Sequence, residues 1–410
     1  MSAVLDLAAG NAALKELYGV DNFDTVLTGF WQKYPLMAMF EKIENAGKST
    51  PVVLATPGAG ASADFATAQA NSVAPEYERF TVLGYSLFET FNLSGDAIAS
   101  SSTESGSFVD FIKDGVDKKI RGLTSRVSEV MWGDGTGCLN PGGCSAISTG
   151  LVTLTNKGDI VGFKKGMKVC DSGTVTGALD PTPYFVISVN YAAGTLHLSA
   201  TQGGATATGP SATTYPYFFP AGDNDAVAMG ITGYLPSSAP SVAESFLGLD
   251  RSSNSYYYGA IIDSSGKSLE EALIDGSMTQ EALGGMLDMN LVNPIDFGSL
   301  LKSLGSKALY DLKDSEGRIS FKALMLATPS GVIPIIGDRN CPQGNAFQFQ
   351  MDTWKLQAHG KLVDIIRQPS GLEFVPLANS DGAELRLCSR LFAVCNRMPG
   401  FNSRLVSFGS

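Results

Sequence analysis

Basic charge is scarce in this chain. Its 410 residues carry 29 Lys and Arg against 40 Asp and Glu, a formal net charge of −11. Proteins that coat nucleic acid by neutralising phosphates carry basic patches, so that class is set aside. Charge of either sign is thin, at 17% against 44% hydrophobic residues, which is too apolar for a disordered chain. Histidine is nearly absent: His197 and His359 are the only two, which leaves little for a zinc site or a general base. No stretch approaches the ~18 uninterrupted apolar residues of a membrane span. The first residues, MSAVLDLAAGNAALKELYG, hold one basic residue, Lys15, and no continuous apolar core. They do not read as a signal peptide, and a cytosolic product without a membrane partner is expected. No repeat with a period of about 20–50 residues is visible.

What is present favours turn-rich β structure, with 46 glycines and many Ser and Thr residues. The length allows two or three domains with sizeable cores. Residues 1–47 are helix-prone with breaks and hold an aromatic cluster of Phe30, Trp31, Tyr34 and Phe40. Two extended runs, Ser49 to Thr56 and Phe80 to Phe91, flank the Gly/Ala/Ser-rich PGAGASADFATAQANSVAP. That pattern predicts a long hairpin or arm with no core of its own, which must lie against something else.

Ser107 to Trp132 is the clearest helix. Phe108, Val109, Ile112, Val116, Ile120, Leu123, Val127, Val130 and Met131 share one face, and Asp114–Lys118 and Asp117–Arg121 are favourable pairs four apart. At ~1.5 Å per residue it would run about 39 Å, with the GDGTG of 133–137 as its stop. From Cys138 to about Ala228 charge thins, and LVTLT, YFVISVNY and TLHLSA alternate as strands, with Ala192-Ala193-Gly194 as a turn. A small inserted β domain is expected there. Beyond Gly230 the chain turns mixed α/β. Ser268-Leu-Glu-Glu271 and Ser277-Met-Thr-Gln280 both look like capping boxes, and Asn293-Pro294 opens a helix carrying Phe297, Leu300, Leu301 and Leu304. Phe321 to Ala327 and Val332 to Ile336 read as a strand pair around Thr328–Gly331, and the end of the chain is strand-rich.

Chemistry is hard to find. Cys138 and Cys144 bracket LNPGG and could form a bridge or half of a metal site, but reduced, buried thiols are the ordinary reading for all six cysteines: 138, 144, 170, 341, 388 and 395. Cys170-Asp-Ser172-Gly173 only faintly echoes a serine-nucleophile motif. Gly58-Ala-Gly60 is not followed by a clear helix, so a phosphate loop is not expected. No catalytic, cofactor-binding or metal-ligating residue is assigned, and the chain is not read as an enzyme.

The order of arm, long extended loop, long helix, mixed α/β region and closing strands resembles the major capsid proteins of tailed bacteriophages. Further stretches add to it: LVNPIDFGSLLKSLGSKALYDL (Leu291 to Leu312), Ile336 to Ala346 leading into Met351 to Leu356, Gly248-Leu-Asp250-Arg251 followed by Tyr257 to Ile262, and Glu384 to Pro399. The likeness covers most of the chain outside residues 138–228. It implies an α+β Hong Kong 97-type capsid fold. The divisions would be an N-terminal arm (1–47), an extended loop (48–95), a spine helix (96–137), the inserted β domain (138–228), a mainly axial domain (229–383) and closing strands of a peripheral domain (384–410). It also implies self-assembly into hexamers and pentamers of a virion shell. Such a shell encloses double-stranded DNA without sequence-specific binding, and is built in the host cytoplasm with a portal and, in some cases, a decoration protein. Only about 47 residues precede the loop, so a separate scaffold protein is expected. The insert should face outward and be removable by joining Gly137 to Gly230. Some relatives crosslink through a lysine on the loop; here none lies between Lys48 and Lys113, so no such bond is expected. The rival readings are a tail, tube or surface-adhesion protein, and a hydrolase that binds carbohydrate through the insert.

Overall fold

In the computed structural model the described residues are 34–44, 47–56, 61–72, 76–94, 105–204, 209–210, 215–303, 310–313, 320–367, 374–377 and 382–409. The expectations for residues 1–33 and for Gly58–Gly60 lie outside them.

The long helix spans Ser105–Trp132, starting two residues earlier than its periodicity predicts. Val116, Ile120, Leu123, Val127, Val130 and Met131 are buried along one stripe, spaced three and four apart. The Asp114–Lys118 pair forms at 2.6 Å on the exposed side. Gly115 interrupts the apolar stripe for a steric reason: a Cβ there would sit 2.5 Å from the Phe91 ring. Its absence lets the helix settle onto strand Tyr85–Leu93.

That strand belongs to the first sheet, built around Ala383–Asn396. On one edge Ala383–Asn396 pairs with Tyr85–Leu93; it also pairs in turn with Phe374–Pro376, Asp364–Ile365 and Trp354–Ala358. Glu41–Glu44 then adds in parallel to Trp354–Ala358. The sequence run Phe80 to Phe91 is therefore two strands, divided at Gly84. Glu76–Leu83 pairs with Ser49–Thr56 in the arm, and Tyr85–Leu93 leaves for the sheet. Tyr85–Leu93, within the 48–95 expected to form the extended loop, is thus a strand of the first sheet. An alternating apolar run reads as one strand in sequence because the change of partner leaves no mark on its period.

The second sheet has seven strands, in the order Ala260–Asp263, Ser403–Val406, Asn345–Phe349, Met289–Val292, Gly331–Gly337, Ser320–Thr328, Tyr310–Lys313. Helices Leu269–Ala282 and Pro294–Ser303 pack on it. Ser268 makes the expected capping box with Glu271. Ser277 does not: it lies inside the same helix, buried, and its hydroxyl meets that of Ser330 at 3.2 Å. Gln280 is also inside the helix, and its Nε2 donates to the Asn402 carbonyl. The S-x-x-Q spacing served tertiary bonds because the helix was already running. Asn293 caps the next helix, its Oδ1 accepting from Ile295 N at 3.0 Å.

Residues 384–410 divide between the two sheets, since Ser403–Val406 lies in the second, beside Ala260–Asp263. The crossing at 397–402 is pinned by Asn402, fully buried. Its Oδ1 accepts from Gln350 N and Trp354 Nε1, and its Nδ2 donates to Thr353 Oγ1 and Met398 O. A buried amide with all its bonds made fixes one crossing geometry.

Between the helix and the second sheet, residues 144–220 form a six-stranded antiparallel sheet, in the order Tyr217–Pro220, Lys168–Ser172, Tyr184–Asn190, Thr195–Ser199, Leu151–Leu154, Cys144–Ser148. It has a core of its own that includes Ile147, Val152, Phe163, Val186, Leu196 and Phe218. Its two outer strands are joined through one side chain. Asn140 Oδ1 accepts from Phe218 N at 2.7 Å, and its Nδ2 donates to the Pro216 carbonyl at 2.8 Å at one outer strand and to Cys144 Sγ at 3.3 Å at the other. The chain leaves and returns at one place: Asp225 N donates to Thr136 O, and Gly137, at φ +81°, has no room for a Cβ beside the Asp223 carbonyl.

Candidate functional site

Two surfaces stand out, the arm and a cleft. The arm is the hairpin Ser49–Thr56 with Glu76–Leu83, and alternation gives it two faces. Val52, Leu54, Phe80 and Val82 are buried, against the expectation that the arm finds cover only elsewhere. Phe80 sits edge-on to Tyr234, Phe246 and Tyr257, with ring centroids 6.1, 5.6 and 6.2 Å away. Thr81 N also donates to the Leu247 carbonyl at 2.9 Å. The receiving aromatics come from about 150–180 positions further along the chain, so no local pattern reveals them. The small hairpin Ser245–Phe246 with Leu249–Asp250 that carries Phe246 is itself braced. Arg251 pairs with Glu244, donates to Gly233 O and lies 4.7 Å over the Phe246 ring.

The other face of the arm is uncovered. Val53 is 57% exposed and Tyr77 68%. Further out, a short helix, Phe65–Ala70, leaves Phe65 84% exposed, with Asp64 capping it from Oδ2 to Thr67 N at 3.0 Å. Hydrogen bonds from Thr67 hold the Asp64 carboxyl below its ordinary value.

The cleft, about 620 Å³, opens where the end of the long helix, the inserted sheet and the 339–345 loop meet. Glu129 and Arg126 tie the insert to the helix. Lys164 reaches Glu129 at 2.9 Å, and Arg126 reaches Asp223 at 2.8 Å. Arg339 and Arg404 also line the cleft. Arg404 donates to Asn345 Oδ1 and Leu235 O, and burial pushes its pKa down to about 10. Sequence reading passed over both arginines, since neither lies in a motif.

The residues considered for chemistry do not converge. The hydroxyl of Ser172, a buried residue, donates to Ala178 O, and strand Tyr184–Asn190 separates its strand from that of His197. Cys138 and Cys144 both lie at Asn140, with Cys144 Sγ donating to Pro216 O at 3.0 Å, and burial pushes each thiol up to about 12. In 133–137, Asp134 accepts from Thr136 N and Oγ1, an ordinary turn after the helix. No group of three or more His, Cys, Asp and Glu that could hold a metal ion occurs among the described residues. Lys48 lies exposed at the base of the arm.

No family model and no curated protein matches the chain. Solved structures do. The capsid asymmetric unit of cyanophage A-1(L) superposes with a TM-score of 0.50 at 10% identity, over 92% of this chain and 93% of that one. The capsid of the native GTA particle gives 0.45 at 9% identity, over 91% and 90%. Mycobacterium phage Bobi gives 0.40 at 13% identity, over 92% and 90%. The fold is the Hong Kong 97-type capsid fold, along nearly the whole chain.

Proposed function

We propose that this chain is the major shell subunit of a tailed-bacteriophage head, forming hexamers and pentamers of an icosahedral container for double-stranded DNA. The arm carries the reading. It is locked to its own body at the base while an apolar face and tip stay open, the form expected of a subunit that completes its packing on a neighbour. The likeness to the cyanophage capsid unit supports the same role. The net charge of −11 suits a container that must not grip the DNA it holds.

In this reading the long helix and first sheet are the peripheral domain, and the second sheet is the axial domain. The insert, tied to the helix through Lys164–Glu129 and Arg126–Asp223, projects from the outer face. The protein works without catalysis, in the virion, after assembly in the host cytoplasm. Its partners are further copies of itself, a separate scaffold, a portal and a decoration protein. Purified chain, expressed with its neighbouring virion genes, should give closed shells or capsomers in negative stain and in sedimentation. Fibres or open tubes, or a lasting monomer, would overturn the reading.

A further inference from the structure

At one end of the inserted sheet two acidic residues face each other. Asp171 lies near the end of strand Lys168–Ser172. Beyond it the chain turns back: Ser172 bridges Leu179 in antiparallel fashion, and Asp180 N donates to the Asp171 carbonyl at 2.8 Å. Asp171 and Asp180 are therefore opposite one another, with side chains on the same face. Register places three more residues on that face. Val169 comes two before Asp171, Tyr184 lies opposite Val169, and Phe218 lies opposite Asp171 on the other neighbouring strand. Val169 and Phe218 belong to the core of the insert, and Tyr184 packs against it. The face is thus the inner one.

Like charges directly opposite destabilise a ladder, and a carboxylate turned toward an apolar core is costly unless something answers it. Asp171 is only 2% exposed, and its Oδ1 has no hydrogen-bond partner among the described residues. Burial and the Asp180 charge push its carboxyl up to about 6, which still leaves it mainly ionised at neutral pH. The nearest base along the strand, Lys168, sits on the opposite, exposed face. Burial and the same two carboxylates also raise the Tyr184 phenol. The face therefore gathers two carboxylates and a phenol, with an unanswered buried oxygen among them. Hard oxygen donors of this kind suit Ca²⁺, whose irregular shell is completed by carbonyls and water.

We propose that this end of the insert binds one calcium ion between Asp171 and Asp180, with Tyr184 beside it. The site belongs to the single chain and does not depend on the shell reading. The full-length chain, stripped with a chelator, is titrated with calcium chloride at neutral pH in a calorimeter. Saturable binding of one ion per chain is expected, with a dissociation constant of roughly 0.1–1 mM, the range of extracellular calcium modules. Asp171→Asn and Asp180→Asn keep the size of the side chain and remove one charge each. Each should weaken binding by about tenfold or more, since affinity follows the charge of the ligand set. Calcium should also slow hydrogen exchange across residues 168–190 in the parent and in neither variant. Asp180 is only half-buried, so its variant decides alone if Asp171→Asn does not fold. A parent that binds no calcium would mean that a proton on Asp171 relieves the face, and the site would be wrong. Binding that survives either substitution in a folded chain overturns it equally.

Discussion

The inserted sheet and the arm are both antiparallel β structures with alternating side chains, and they resolve their apolar faces differently. The insert gathers its buried residues into one core and joins its outer strands through Asn140, which reaches Phe218 N and Pro216 O on one side and Cys144 Sγ on the other. The arm buries Val52, Leu54, Phe80 and Val82 on the body but leaves Val53 and Tyr77 open. Six strands can enclose a face; two cannot, and an isolated hairpin is marginal in water. The insert therefore reads as a self-sufficient unit. The arm is half covered among the described residues, and in the proposed shell a second copy completes it.

Substitutions on the two sides of this contrast should behave differently. The largest effect on folding is expected at the arm's inner face. Phe80→Ala opens a cavity among three aromatic rings and should cost about 3–5 kcal/mol in chemical unfolding of the monomer; a cost below about 1 kcal/mol would mean that the arm is not held by its own body. Next comes Asn140→Ala, which leaves Phe218 N and Pro216 O without their partner. About 1–3 kcal/mol is expected, confined to the insert and read by hydrogen exchange of residues 144–220. Protection lost equally in the first and second sheets would show that the insert is not an independent unit.

A smaller effect concerns pH. Burial raises Asp159 to about 6, against an ordinary value near 4, although hydrogen bonds from Gly142 and Asn156 oppose the rise. Between those values the folded state holds more protons than the unfolded one. The contribution of this group to stability therefore falls as pH climbs from about 4 to 6, and it stays low above that. Asp159→Asn should melt higher than the parent at pH 8 and lose the advantage at pH 4, and the opposite order would contradict the assignment. No effect at all is expected from boiling assembled particles in denaturant and reductant. With no lysine between Lys48 and Lys113 they should run as one band near 43 kDa, and a surviving ladder would show that another residue supplies a crosslink.

The elements most legible in the sequence were those whose signal is local. The apolar stripe from Val116 to Met131, the Ser268 cap, the Asn293-Pro294 helix start and the Thr328–Gly331 turn all declare themselves within a few residues. What stayed hidden depends on distant partners. Gly84 separates two strands whose partners lie at 49–56 and 383–396. Ser403–Val406 joins the second sheet only because Asn402 turns the chain. The cleft draws Arg126, Arg251, Arg339 and Arg404 from four separate segments, none with a motif. A search for catalytic spacing could not have found it.

The central claim, that the arm's open face is completed by another copy, is most directly tested at Tyr77 and Val53. The pair Val53→Ser and Tyr77→Ser removes apolar surface that the monomer leaves exposed, so unfolding of the monomer should shift by no more than about 0.5 kcal/mol per site. Under identical expression, electron microscopy should show closed shells from the parent and few or none from the double variant. Equal numbers of closed shells from both would contradict the account.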